Sequence, residues 1–184
     1  MYVLILGLIL FIGVHAIRLF PAQRERLIAL RGENTYKIIY TVISVIGLAL
    51  IIWGKILAHP SVIVWEPPVW GRHLAYLLVP LALILLVAAY APGHIRRWLR
   101  HPMLAAVMLW SLAHTLANGE LASLILFVTF FVWSTIVFIA SWFRETPPPI
   151  VKGWGGDLTA IILGFLAAML ILRFHMVLFG VAVV

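Results

Sequence analysis

The chain has no cysteine among its 184 residues. That absence removes disulfides, iron–sulfur clusters, thiolate zinc sites and covalent c-type haem attachment together. Charge is nearly as scarce: 10% of the residues are Asp, Glu, Lys or Arg, and only six are acidic. Glu120 and Asp157, the two acids near membrane depth, each stand at the end of an apolar run and are not evidently paired, which gives hydrolytic catalysis little support. There is no repeat of fixed period, no low-complexity segment and no long polar linker. Residues 1–184 read as one domain.

What is there is apolar. Hydrophobic residues make up 65% of the chain and the mean hydropathy is +1.15. A soluble domain is about half apolar and about a quarter charged, so only lipid tolerates this surface. The fold class expected is all-α, a polytopic membrane bundle of about six transmembrane helices of about 20 residues each. The candidate spans are Met1–Phe20, Ile38–Leu57, His73–Ala91, Met103–Ala117, Ala122–Phe143 and Leu158–Gly180, the fourth being short. Breaks fall at Pro21, His59-Pro60, Pro67-Pro68, Pro92-Gly93, His101-Pro102 and Pro147-Pro148-Pro149, where proline stops or restarts helices. Met1–Phe20 lacks a basic n-region and a small-residue cleavage site, so it reads as a retained span. The net charge of +7 sits between apolar spans. Its partner is membrane lipid, not nucleic acid.

Seven histidines in so apolar a chain are the chemistry to explain, because ionisable groups inside membranes usually serve a function. His59 and His94 fall in proline-containing loops and read as exposed polar residues. His73, beside Arg72, reads as an interfacial anchor. His114 stands well inside the fourth span, with Trp110 and Asn118 one turn to either side on the same face. His15 lies one turn before Arg18; that cation either meets an anionic group or snorkels to the interface. His175 lies five helical turns after Asp157, with Gly164 and Ala168 near that face leaving room for a flat molecule or a close helix. His101 opens the fourth span after Arg96, Arg97 and Arg100.

Imidazoles projecting between helices, with no thiolate and no carboxylate cluster, fit haem b better than a bare metal ion. Zinc or copper is the alternative, and no close His-x-x-x-His pair supports it. The candidate cofactor-binding residues are His15, Arg18, His101, His114 and His175, with Arg24, Arg26 and Arg100 also placed to meet propionates. Counting about 1.5 Å of rise per residue, His15 lies about 7 Å and His114 about 18 Å from the basic ends of their spans, a gap of roughly 10 Å. By depth His15 matches His101 and His114 matches His175, so the spacing allows one haem or two.

Phe11-Ile-Gly-Val-His15-Ala-Ile-Arg18, Gly32-Glu-Asn-Thr-Tyr36, His101-Pro102-Met-Leu, Trp110-Ser-Leu-Ala-His114 with Asn118-Gly119, and Asp157, His175 and Gly180 together resemble the NnrU family nearly end to end. The resemblance implies an association with denitrification, near nitrite and nitric oxide reduction. The family is related to plastid 15-cis-zeta-carotene isomerase, a membrane protein with haem b, and this implies that His114 and His15 ligate the iron. The isomerase carries a cysteine in the segment corresponding to Ser111, where this chain departs from it. Three roles follow from the resemblance. The first is a haem b protein with redox chemistry or a nitrogen-oxide ligand; the second, a haem-dependent cis–trans isomerase of an apolar polyene. The third is a non-catalytic accessory to nitrogen-oxide reductases.

Loops one, three and five carry ten Lys and Arg residues, and the opposite side receives only Lys55, Arg72 and Arg173. The asymmetry places the odd loops in the cytoplasm and both termini in the periplasm of a bacterial inner membrane. Topology reporters fused after Arg31 and after Ile150 are expected to read cytoplasmic, and one near Ser61 periplasmic. The reverse pattern would overturn this map.

Overall fold

A computed structural model describes residues 1–144, 150–151 and 153–181. The Pro147–Pro149 break and Lys152 lie outside them. Eight α-helices are seen among the described residues: α1 (Tyr2–Ala16), continued by a 3₁₀ turn at Ile17–Leu19, α2 (Pro21–Arg31), α3 (Glu33–Leu57), α4 (Val69–Ala88), α5 (His94–Leu99), α6 (Pro102–Ala117), α7 (Leu121–Trp142) and α8 (Gly155–Phe179). Five segments are long and apolar enough to cross a membrane, and α6 is a shorter apolar helix. The protein is a helical membrane bundle.

Proline sets the punctuation as expected. Pro21 and Pro102 open α2 and α6, where the missing N–H has no intrahelical partner to lose. Some boundaries differ: α4 ends at Ala88, short of Ala91, while two helices start earlier than expected. α3 begins at Glu33, not Ile38, and α4 at Val69, not His73. A helix keeps its backbone bonds into the head-group layer, so its end is not where its hydropathy ends. Two further elements lie in loops. α2 carries Arg24, Arg26 and Arg31 beside Leu27, Ile28 and Leu30, nearly all of it exposed, as in a helix lying along an interface. α5 is a single basic turn and a half.

The spans pack in the order α3–α1–α7–α6–α4–α8, with the α1–α7 contact much the lightest. In lipid there is little hydrophobic force between helices, so close backbone approach through small residues takes its place. On α3, Gly47 and Gly54 meet the backbone of Phe11 and Leu4; on α8, Gly164 meets the Cα of Ile84. Gly164 and Ala168 therefore form a packing seam against α4. Of the two readings of this face, a flat molecule or a close helix, the structure has the close helix.

The loops opposite the basic end are tied together. The segment after α3 crosses to the α6–α7 turn through a short antiparallel bridge, Val64 N–H donating to Gly119 C=O at 2.9 Å and Leu121 N–H to Val62 C=O at 2.8 Å. Trp65 Nε1 donates to the Asn118 carbonyl at 3.1 Å, and the Ala122 amide to Ser61 Oγ at 3.0 Å. Glu120 closes this knot, with Lys55 Nζ at 3.0 Å and His59 Nδ1 at 3.1 Å. Burial pushes its carboxyl up, but Lys55 and His59 outweigh this and hold it below the usual glutamate range.

A carboxyl depressed on folding adds stability above its unfolded pKa and loses it as pH falls through the folded value. The Glu120 contribution is thus present at neutral pH and lost in acid, below the ordinary glutamate range. Glu120→Gln is expected to lower stability at pH 7 by about 1 kcal/mol, and the difference from wild type should vanish at low pH. Thermal unfolding in detergent across that range checks it. An equal deficit at acid and neutral pH would contradict the assignment.

Candidate functional site

α7 is the wall against which the two leading histidines are placed. His15 comes from α1, half-buried, stacked on Phe11 at 4.2 Å and edge-on to Trp133 at 5.9 Å, with Tyr40 at 5.1 Å on its other side. His114 comes from α6, its ring tilted against Phe127 at 4.7 Å and against Trp110 at 5.2 Å. Phe130 joins the two groups, 5.7 Å from Phe11 and 5.8 Å from Trp110.

Both rings are oriented by their own helices. His15 Nδ1 lies 2.7 Å from the Phe11 carbonyl and His114 Nδ1 2.8 Å from the Trp110 carbonyl, each one turn earlier. This sets Nδ1–H as the donor and leaves Nε2 as the lone-pair nitrogen in each ring. Neither Nε2 has a partner among the described residues. α1 and α7 run parallel, while α6 runs against them, as the ring pairings along α7 show. Both imidazoles lean back toward their helix N-termini, so they lean toward each other. Phe127 and Trp133 mark their levels, six residues or about 9 Å of α7 apart. The aromatic rings of Phe11, Trp110 and Phe130 stand in the interval. Trp133 Nε1 is a buried N–H with no hydrogen-bond acceptor beside His15.

The remaining candidates lie elsewhere. Arg18, in the 3₁₀ turn, is exposed but within electrostatic range of both His15 and His101. His101 Nε2 donates to the Ser141 carbonyl at 3.2 Å, which commits that nitrogen. Burial holds the His101 imidazole below its usual pKa despite that bond, and Arg18, Arg100 and Arg144 add to the effect, so the ring is neutral. His175 Nδ1 bonds the Val181 carbonyl at 2.7 Å past the end of α8, within electrostatic range of His114 but on a helix that packs on α4. Ser111 is fully buried, its hydroxyl donated to the Val107 carbonyl at 2.6 Å. Among the described residues no group of three or more His, Asp or Glu side chains is close enough to hold a bare metal ion.

The model of the NnrU protein family matches residues 3–183. The chain belongs to the NnrU family. No curated protein and no solved structure matches it. Nearly the whole bundle is covered by the family match, so all of α6 and α7 and all but the first residue of α1 lie within the family region.

One pairing was not foreseen. Asp157, buried, accepts from the His94 amide at 2.9 Å, the Ile95 amide at 2.8 Å and His94 Nδ1 at 2.8 Å, while the His94 ring stacks on Trp154 at 4.0 Å. The carboxylate caps α5 from another helix. His94 is therefore a clamp at the basic end, not an exposed loop residue, and Asp157 serves it and not His175, which stands at the far end of α8. Asp157→Ala leaves two buried amides unpaired and is expected to cost about 1–3 kcal/mol. Asp157→Asn, which keeps one acceptor, should cost less. Thermal unfolding of the two variants orders them; equal stability of Ala and wild type would remove the clamp.

Proposed function

We propose that this NnrU-family protein is an integral membrane haem b-binding protein of a bacterial inner membrane, with His114 and His15 as the iron ligands. The observation that carries the reading is their shared arrangement. Two imidazoles from antiparallel helices lean toward each other over one face of α7, Nδ1 of each bonded to its own helix and Nε2 of each unpartnered among the described residues. Axial histidines are held in this way, the donor nitrogen fixed by a carbonyl and the other presented to the iron. The orphan Trp133 N–H beside His15 is a second sign that the interval suits a polar, hydrogen-bond-accepting group. Arg18, the nearest uncommitted cation, is placed to meet a propionate.

A haem b bound there would supply one-electron chemistry; with both His114 and His15 on the iron, a nitrogen-oxide ligand, the role that an association with denitrification suggests, would have to take the place of one imidazole. The protein's part is to fix both imidazole tautomers, to line the interval with aromatic rings, and to keep water out. Isomerisation of a polyene in the manner of the plastid relative is the less supported role, because Ser111 is spent on its own helix and offers no thiolate.

Purified from haem-replete cells, the protein should carry non-covalent haem, extractable with acidified butanone and identified as haem b by pyridine haemochrome. His114→Ala is expected to lose most of the bound haem, and His15→Ala to lose haem or shift the spectrum from low to high spin. Full occupancy with an unchanged spectrum in His114→Ala overturns the ligand assignment. Colourless wild-type protein that gains nothing from added hemin overturns the function.

A further inference from the structure

A second recess lies on the other side of α1, away from α7. It is a groove of about 230 Å³ between α1, α2 and α3, lined by Gly13, Ile17, Leu27, Ile39 and Ile43 among others, with Arg31 and Tyr36 in its wall. The apolar residues line its length. Nothing stands within 4 Å of where a Gly13 side chain would begin, so the groove runs open along α1.

The surrounding charge is mainly positive, with Glu25 the one acid in α2. Arg31 lines the groove itself, and the Arg24 guanidinium sits 5.6 Å over the Tyr36 ring. Arg18 and Arg24 both lie within electrostatic range of Tyr40, another lining residue. The adjacent acid, Glu33, is neutralised by Lys37 at 2.7 Å. α2, which closes this recess, has the exposed mixture of Arg and Leu of a helix lying in the head-group layer.

We propose that this groove is a binding site for one anionic phospholipid, an acyl chain lying against Gly13, Ile17 and Ile39 and the phosphate held by Arg31 with Arg24. The complementarity is twofold. The apolar wall is the right surface for a chain already in the bilayer, and two guanidiniums select a negative head group over a zwitterionic one. Tyr40 stands between this groove and His15, but none of the groups that would hold the lipid is one assigned to the haem.

Native mass spectrometry of the full chain in neutral detergent, titrated with dioleoyl phosphatidylglycerol or dioleoyl phosphatidylcholine, tests it. One phosphatidylglycerol per chain is expected, held at least about fivefold more tightly than phosphatidylcholine, as one or more guanidinium contacts imply. Gly13→Phe starts a side chain into the open groove, with nothing within 4 Å of its Cβ, and should abolish the tight adduct, while Arg31→Gln should remove the preference for phosphatidylglycerol and leave weak binding of both lipids. Equal affinity for the two lipids in wild type, or an undiminished adduct in Gly13→Phe, overturns the proposal. So does full competition by soluble glycerol phosphate, which would show that the anion binds without the chain.

Discussion

Hydrocarbon offers no hydrogen bonds, so every polar group carried into it has to be satisfied by the chain itself. The spans obey this locally. Ser44, Ser111, Thr115 and Thr135 each donate a hydroxyl to a carbonyl one turn back on the same helix. Such a bond hides the polar side chain without tying one helix to another. His15 and His114 follow the same rule with Nδ1. A hydroxyl has one proton and has spent it; an imidazole has a second nitrogen that its own helix cannot reach. The candidate site is what this rule leaves over.

Helices that associate mainly through small residues slide easily unless their ends are fixed, and the loops supply that. At one end Glu120 and the bridge through Val64 and Gly119 lock the α6–α7 turn to the segment after α3. At the other, Asp157 draws the start of α8 onto the start of α5. The first of these fixes where α7 begins relative to α6, and hence that Phe127 faces His114. The glycine contacts of α1 with α3 fix the height of His15. The offset between the imidazoles is therefore set by the packing of the whole bundle and not by either histidine.

This division explains what could be read in advance. The number of spans, the short fourth one and the asymmetry of basic residues rest on composition, and composition is local. The face of His114 was legible because Trp110 and Asn118 stand one turn to either side of it; the stacking of His15 on Phe11 was not. α2 was not, since its arginines make a short amphipathic helix look like a polar loop. The role of Asp157 was hidden because its partners lie some sixty residues earlier, across no detectable periodicity. Gly164 and Ala168 left two readings open, since small residues admit a ligand or a helix equally well, and Ile84 of α4 decides for the helix. The aromatic wall of α7 had no signature, because that helix is apolar on every side and no one face of it stands out.

The histidines sort themselves by what they hold. His59 and His94 are bound to carboxylates on other elements, and His101 to the end of α7; each links two parts of the chain. His175 bonds the chain beyond the end of α8. His15 and His114 touch other helices only through ring contacts, and among the described residues their hydrogen bonds fall within their own helices. For folding alone, leucine at either position would fill the same interval with no nitrogen to desolvate. An imidazole at either position costs more to bury than leucine would, and its ring contacts with α3 and α7 are ones an apolar side chain could also make. The nitrogen that each helix leaves unused, Nε2, is the one that the proposed haem would take.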